Sequence, residues 1–260
     1  MKAAAILPKI SYRFQWVWYR NLVVWSKFYK SSLVANIVEP LIYLFGFGYG
    51  LGQFITNLNG MSYVQFIAPG LVSISAMNSA TFECTYGAYA RMTVQKTFDA
   101  MISTPVNIDE VVTGEILFAT TKAFGASIIM ISIMALFGLV PSWTAVLVPL
   151  VMLLTGFVFA SAAILYTSFS HSWDFFSYYF TLVIAPLSLL SGAFFPLERL
   201  PGWVTQLIWF TPLFHSVELS RGLVMGEMHW KMLEHALWLI LFACGVFLFA
   251  VYRIRNRVIV

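Results

Sequence analysis

Six stretches of the chain stay apolar for about 20 residues, the length a helix needs to cross roughly 30 Å of hydrocarbon. They are Ile37–Ile55, Tyr63–Cys84, Ile116–Val140, Trp143–Phe169, Phe175–Phe194 and Ala236–Tyr252. Each is continuously apolar rather than alternating, which predicts membrane helices and not barrel strands. Three segments break the pattern. In Ser11–Lys30, Arg13, Arg20 and Lys27 recur every seven residues, while Phe14, Trp18, Leu22, Trp25 and Tyr29 form an apolar stripe. That segregation predicts an amphipathic helix lying in the cytoplasmic interface; the plainer reading is a basic flank that only sets topology. In Arg91–Glu115, Val94, Phe98, Met101 and Ile102 have helical spacing, with Gln95, Lys96 and Asp99 on other faces. Pro105 stops that helix, and Asp109 with Glu110 suits the start of the next. Spacing leaves open whether it is a passive connector or a docking surface. In Ser191–Lys231, Pro196, Pro201 and Pro212 divide an apolar segment into short pieces. Backbone at membrane depth must be satisfied internally, so two short helices that dip into the outer leaflet and return are expected. The expected fold is one all-α membrane domain over residues 1–260, with non-spanning parts at 11–30, 91–110 and 191–231.

Charge placement orients this arrangement. Of the 15 Lys and Arg, eleven precede the first span, follow the last or lie between spans two and three; only Arg199, Arg221 and Lys231 fall on the other side, and Lys122 lies within span three. The positive-inside tendency places both termini in the cytoplasm, as an even number of spans requires. Composition removes the soluble alternative. Charged residues make up 10% of the 260 and mean hydropathy is +0.82, whereas a soluble domain carries roughly 25% charged residues. A net charge of +4 is too small to suggest nucleic acid. Cys84 and Cys244 sit in apolar segments and suggest neither a disulfide framework nor a zinc site. The N-terminus has no apolar core suited to a cleavable signal, so insertion is expected to use the first span.

Enzymatic chemistry finds no footing. There is no GxxxxGK[ST] phosphate loop, no HExxH and no nucleophile–base signature. His171, His215, His229 and His235 lack ligand spacing and read as packing or interface residues. No catalytic, cofactor or metal site is expected. Polar residues inside the spans say more, being costly in lipid. Ser75, Ser79 and Glu83 share a face of span two; Glu83 either reaches the interface or serves a pathway or helix pairing. Glu39 at the inner boundary reads as structural, and Lys122 as snorkelling inward. Gly46, Gly48, Gly50 and Gly52 form two overlapping GxxxG patterns that permit close helix packing, within one chain or across a dimer.

With these segments placed, the chain resembles the ABC-2 family of exporter permeases over nearly its whole length. The resemblance rests on LLSGAFFPLERLPGW (Leu189–Trp203), TPLFHSVELSRGLVMG (Thr211–Gly226) and the run from Gln95 to Pro105 with its Thr-Pro ending. EPLIYLFGFGYGLG (Glu39–Gly52) and MNSATFE (Met77–Glu83) are similar to the branch with rhizobial lipo-oligosaccharide nodulation-factor permeases; drug and polysaccharide permeases share much of the pattern. The resemblance implies a homodimer of six-helix subunits in a bacterial inner membrane, docked on two copies of a cytoplasmic ATPase that binds ATP and Mg. Gln95, Phe98, Asp99 and Met101 would contact that ATPase, and Ser11–Lys30 would be the connecting helix. An amphiphilic substrate would pass between subunits along spans one, two and five and leave beside outer re-entrant helices. Tyr43, Phe47, Ser79, Glu83 and Tyr178 are the candidate path residues, joined by Tyr49 and Tyr179. Aromatic faces receive sugar C–H groups or acyl chains without fixed hydrogen-bond geometry, although each ring is equally readable as ordinary packing. A homo-oligomeric channel lined by Ser75, Ser79 and Glu83, or a secondary transporter, is the competing expectation; the first lacks a continuous polar lining and the second the usual internal repeats.

Overall fold

The computed structural model describes residues 8–30, 34, 38, 41–50, 52, 54–55, 61–197 and 200–258, and among them every regular element is helical. Glu39 and Arg199, and the side chain of Tyr49, lie outside what is described. The elements are α1 (Phe14–Ser26), the π-wound α2 (Leu44–Gly50), α3 (Tyr63–Phe82), α4 (Thr97–Ile102), α5 (Ile108–Leu136), α6 (Val148–Thr167), α7 (Asp174–Tyr179), α8 (Ala185–Leu190), α9 (Gly202–Trp209), α10 (Pro212–Met225) and α11 (Lys231–Val258). Among the described residues three helices are long and apolar enough to cross a membrane: Ile108–Leu136, Trp143–Thr167 (α6 with its 3₁₀ lead-in) and Lys231–Val258. A shorter apolar helix covers Asp174–Leu190.

Local chemistry explains where these helices start and stop. Ser62 with Gln65 and Asn107 with Glu110 form reciprocal capping boxes that satisfy the first free amides of α3 and α5. The Asn107 cap corrects the expected start of span three from Ile116 to Ile108. Asp109, Glu110 and Glu115 occupy those added turns, and each is buried against a partner, which hydropathy cannot foresee. Span two likewise runs past Cys84, because helical winding continues from α3 through π-turns at Glu83–Gly87 and Ala90–Val94. The expected helix through Val94–Ile102 is broken: Lys96 takes a left-handed φ of 53° and α4 begins after it. The first helix ends at Ser26, short of Lys30. Its stripe Phe14, Trp18, Leu22 and Trp25 is half-buried against the protein, and Trp16, Tyr19 and Val23 leave a second apolar face exposed.

Helices α3, α5 and α6 pack on one another, α11 lies against α6, and α10 is inserted among α3, α6 and α11. Close approach depends on small residues. A Cβ on Gly156 of α6 would lie 2.7 Å from that of Ala123 on α5, and one on Gly70 of α3 would lie 2.5 Å from that of Ala193. Pro212 opens α10, and Gly226, at φ 79°, closes it. Within the bundle α10 is held by hydroxyls: Ser220 to Ser73 at 3.1 Å and Ser216 to Thr155 at 2.7 Å.

Gly156→Val should overpack the α5–α6 contact and cost about 1–3 kcal/mol. Thermal unfolding in detergent should show a lower Tm, and an unchanged Tm would mean that α5 and α6 are not held this closely.

Candidate functional site

Four charges meet at the end of α3 nearest both chain termini. Glu83 closes α3, Arg91 lies two turns later, and Glu115 and Lys122 project from α5. Arg91 Nε donates to both oxygens of Glu115 at 3.1 and 3.0 Å, and Arg91 Nη2 donates to Glu83 Oε1 at 2.7 Å. Lys122 Nζ donates to Glu83 Oε2 at 2.7 Å. Glu115 is fully buried and also accepts 2.9 Å from Asn21 Nδ2, so the cluster reaches α1. Arg20 reinforces it by donating to Asn21 Oδ1 at 2.9 Å; burial lowers its pKa and the nearby Glu115 opposes that. Two carboxylates and two cations balance, which is the condition for burying any of them.

A second set of contacts ties the termini to the start of α5. Arg255 grips Asp109 with two nitrogens, Nε to Oδ1 at 2.8 Å, and the Lys9 amide donates to Asp109 Oδ2 at 2.8 Å. The Ser11 amide donates to Glu110 Oε1 at 3.1 Å, and Arg13 donates to the Pro105 carbonyl. Arg257 donates to the carbonyls of Thr167 and Ser170 at 2.5 and 2.6 Å. The flanking cations that set topology therefore also staple helix ends.

Between these clusters lies α4. Gln95 and Asp99 are exposed and Met101 is half-buried against the core. Phe98 is corrected from a contact residue to an anchor: at 1% exposure it holds α4 down and has no surface to offer. The left-handed Lys96 makes the elbow that turns α4 away from the Arg91 helix.

The candidate path residues are only partly brought together. Tyr43 stacks on Phe47 at 5.9 Å, and Phe47 meets Phe194 at 5.5 Å. Tyr178 is 62% exposed on α7. Ser79 is buried with no hydrogen-bond partner for its hydroxyl among the described residues, while Glu83 is committed to Arg91 and Lys122 rather than free. Lys122 therefore reaches a carboxylate instead of snorkelling. The glycines divide. Gly48 and Gly52 face Val64 and Tyr63 of the same chain, whereas Cβ atoms at Gly46 and Gly50 would meet none of the described residues within 4 Å.

Three features escaped the sequence reading. The sequence presents Arg91 only as a cation between spans two and three, Lys122 as snorkelling and Glu83 as an interface or pathway residue, and gives Glu115 no role. Phe82, Tyr86, Trp173, Phe176 and Phe180 form an aromatic cluster, with Phe82 and Phe180 stacked at 4.4 Å; rings four apart on two helices were the available signal. The third is a cavity of about 860 Å³ bounded by α3, α9 and α10, lined among others by Trp209, Phe214, Glu218 and Arg221. Beyond α9 lies an apolar groove of about 270 Å³ with Leu187, Leu190, Leu207 and Ile208.

Residues 12–225 match the ABC-2 type transporter family. The chain is 40% identical over 224 residues to Nodulation protein J of Rhizobium meliloti, covering 86% of this chain and 85% of that one. It is 37% identical over 257 residues to Nodulation protein J of Sinorhizobium fredii, covering 98% of each. Inner membrane transport permease YadH of Escherichia coli is 26% identical over 214 residues, covering 81% of this chain and 82% of that one.

Removing Arg91 alone leaves the buried Glu115 without a cation, while Glu83 still has Lys122. Arg91→Met should cost about 3–5 kcal/mol, and Arg91→Met with Glu115→Met should recover much of it, because Glu83 keeps Lys122. Unfolding of both variants in detergent tests this; equal loss in single and double variants would mean that the charges do not depend on one another.

Proposed function

The chain belongs to the ABC-2 type transporter family, a family of transport permeases rather than enzymes, and from that premise we propose that it is the membrane subunit of an exporter driven by a separate ATPase. The observation that carries the reading is α4. It is a short helix with exposed Asp99, anchored by buried Phe98 and joined through Lys96 to exposed Gln95 at the end of the helix that bears Arg91. A rigid knob connected to a buried ion cluster suits force transmission from a soluble partner. ATP and Mg belong to that partner, since this chain has no phosphate loop.

In this reading six helices span the inner membrane with both termini cytoplasmic. The spans beyond the three long helices are α2, α3 with its π-wound extension, and Asp174–Leu190. Exposed Trp16, Tyr19 and Val23 place α1 in the interface, where aromatic residues are favoured. Helices α9 and α10 are the outer re-entrant pair, supported by the burial of one face of α10 among α3, α6 and α11. Two subunits meet across Gly46 and Gly50, the small residues left facing open space, and two ATPase copies dock on the two α4 knobs.

The proposed cargo is an amphiphile. Two relatives bear the name Nodulation protein J, and α9 separates a cavity with polar and aromatic walls from an apolar groove. Those are the two environments a head group and an acyl chain require.

Two outcomes are expected. Asp99→Lys should leave Tm unchanged but abolish co-purification with the ATPase and substrate-stimulated hydrolysis, whereas Phe98→Ala should lower stability by about 3–5 kcal/mol. Full stimulation in folded Asp99→Lys would refute the docking site. Gly46→Leu should reduce the crosslinked dimer without changing monomer stability, whereas Gly48→Leu should strain the Val64 contact within one chain. A normal dimer yield in Gly46→Leu would move the interface elsewhere.

A further inference from the structure

The 860 Å³ cavity beside α9 falls within the roughly 300–1,000 Å³ typical of small-molecule sites. Its polar centre is fixed. Arg221 Nη1 donates to Glu218 Oε1 at 2.7 Å, Nη2 donates to the Gly192 carbonyl at 2.7 Å, and the guanidinium lies 4.2 Å over the Phe66 ring. The Glu218 side chain remains 35% exposed. Trp209 and Phe214 supply aromatic wall, and Gln206 an amide.

That wall is braced rather than loose. His215 lies under it, with Nε2 at 2.6 Å from the Trp209 carbonyl and Nδ1 at 2.6 Å from His235 Nδ1. A carbonyl only accepts, so Nε2 carries the proton; the neutral ring then accepts at Nδ1 from His235. Trp238 stacks on the same imidazole at 4.4 Å. The end of α9 is thereby locked to α10 and α11, and a preformed wall spares a ligand the cost of ordering it.

We infer that this cavity binds a neutral saccharide unit, the head of the amphiphile, on the outer side; assigning it to the cargo rests on the export reading above. Sugar hydroxyls donate and accept at once, matching a fixed guanidinium–carboxylate pair beside an amide. Sugar C–H faces suit Trp209 and Phe214. An anionic head is disfavoured because, among the described lining residues, Glu218 and Glu227 outnumber Arg221. A cationic head finds the Phe66 face and the nearer Glu218 oxygen already taken by Arg221.

The test uses the full chain with its ATPase in lipid nanodiscs. Maltotetraose, octyl glucoside, octylammonium and octyl phosphate are titrated separately, with binding read by saturation-transfer NMR. The two saccharides should bind saturably and more tightly than the other heads. Phe214→Ala and Glu218→Gln should each raise the saccharide Kd at least tenfold. Gln206→Leu, on the exposed side of α9, asks the same without disturbing the Arg221–Glu218 pair, and gel filtration with thermal melting checks that each variant is folded. Tighter binding of octylammonium or octyl phosphate that is lost in these variants overturns the saccharide assignment. Saccharide binding that ignores all three substitutions, or no binding, overturns the site. Saccharide binding here without ATP-dependent transport into vesicles defeats the export reading and leaves this one standing; transport without binding here does the reverse.

Discussion

A carboxylate loses several kcal/mol of hydration when it is buried, even after its surroundings relax. Glu115, fully buried on α5, is compensated by Arg91, which meets both of its oxygens, and by Asn21, which adds a further bond. The geometry of the termini-bearing half of the molecule follows from that requirement. Arg91 reaches Glu115 only if the third helix continues past Phe82, and it does so through two π-turns. Asn21 reaches it only if α1 lies tight on α5, where Gly114 leaves room for Val17. Each added bond makes the next element less free to move independently.

The opposite half of the bundle is held by different means. Hydroxyl pairs such as Ser73 with Ser220, and small-residue contacts such as Gly70 against Ala193, bring the helices of this half together at close range. Lipid supplies little drive for apolar helices to associate, so dispersion at close range and short hydrogen bonds must do it.

The termini add a constraint of their own. Arg255 and Arg257 end the last helix by bonding Asp109 and two carbonyls near the end of α6. The N-terminal strip from Lys9 to Arg13 bonds Asp109, Glu110 and the Pro105 carbonyl on the same side. Asp109 thus receives Lys9 and Arg255 from near the two ends of the chain, and α4 lies in the chain between Asp109 and Arg91.

How far the chain explains itself differs by feature. Long apolar runs, the break at Pro105, the two short helices after Pro201 and Pro212 and the membrane class were legible locally, because length, period and punctuation act within a few turns. The family resemblance was legible in Leu189–Trp203 and Thr211–Gly226. Other features were not. Whether Phe98 faces a partner or the core depends on a left-handed Lys96 that apolar spacing does not register. Glu83 reads alike as pathway, anchor or ion pair until Arg91 and Lys122 are placed beside it, eight and 39 residues away. Gly46 and Gly48 are indistinguishable in sequence, and only α3 passing along one side makes the second a packing contact and leaves the first open. Hydropathy is a property of a segment and rewards burial in lipid and in protein equally. The partner of a charge, the face of a glycine and the enclosure of a cavity belong to pairs of distant segments, and only the folded chain decides them.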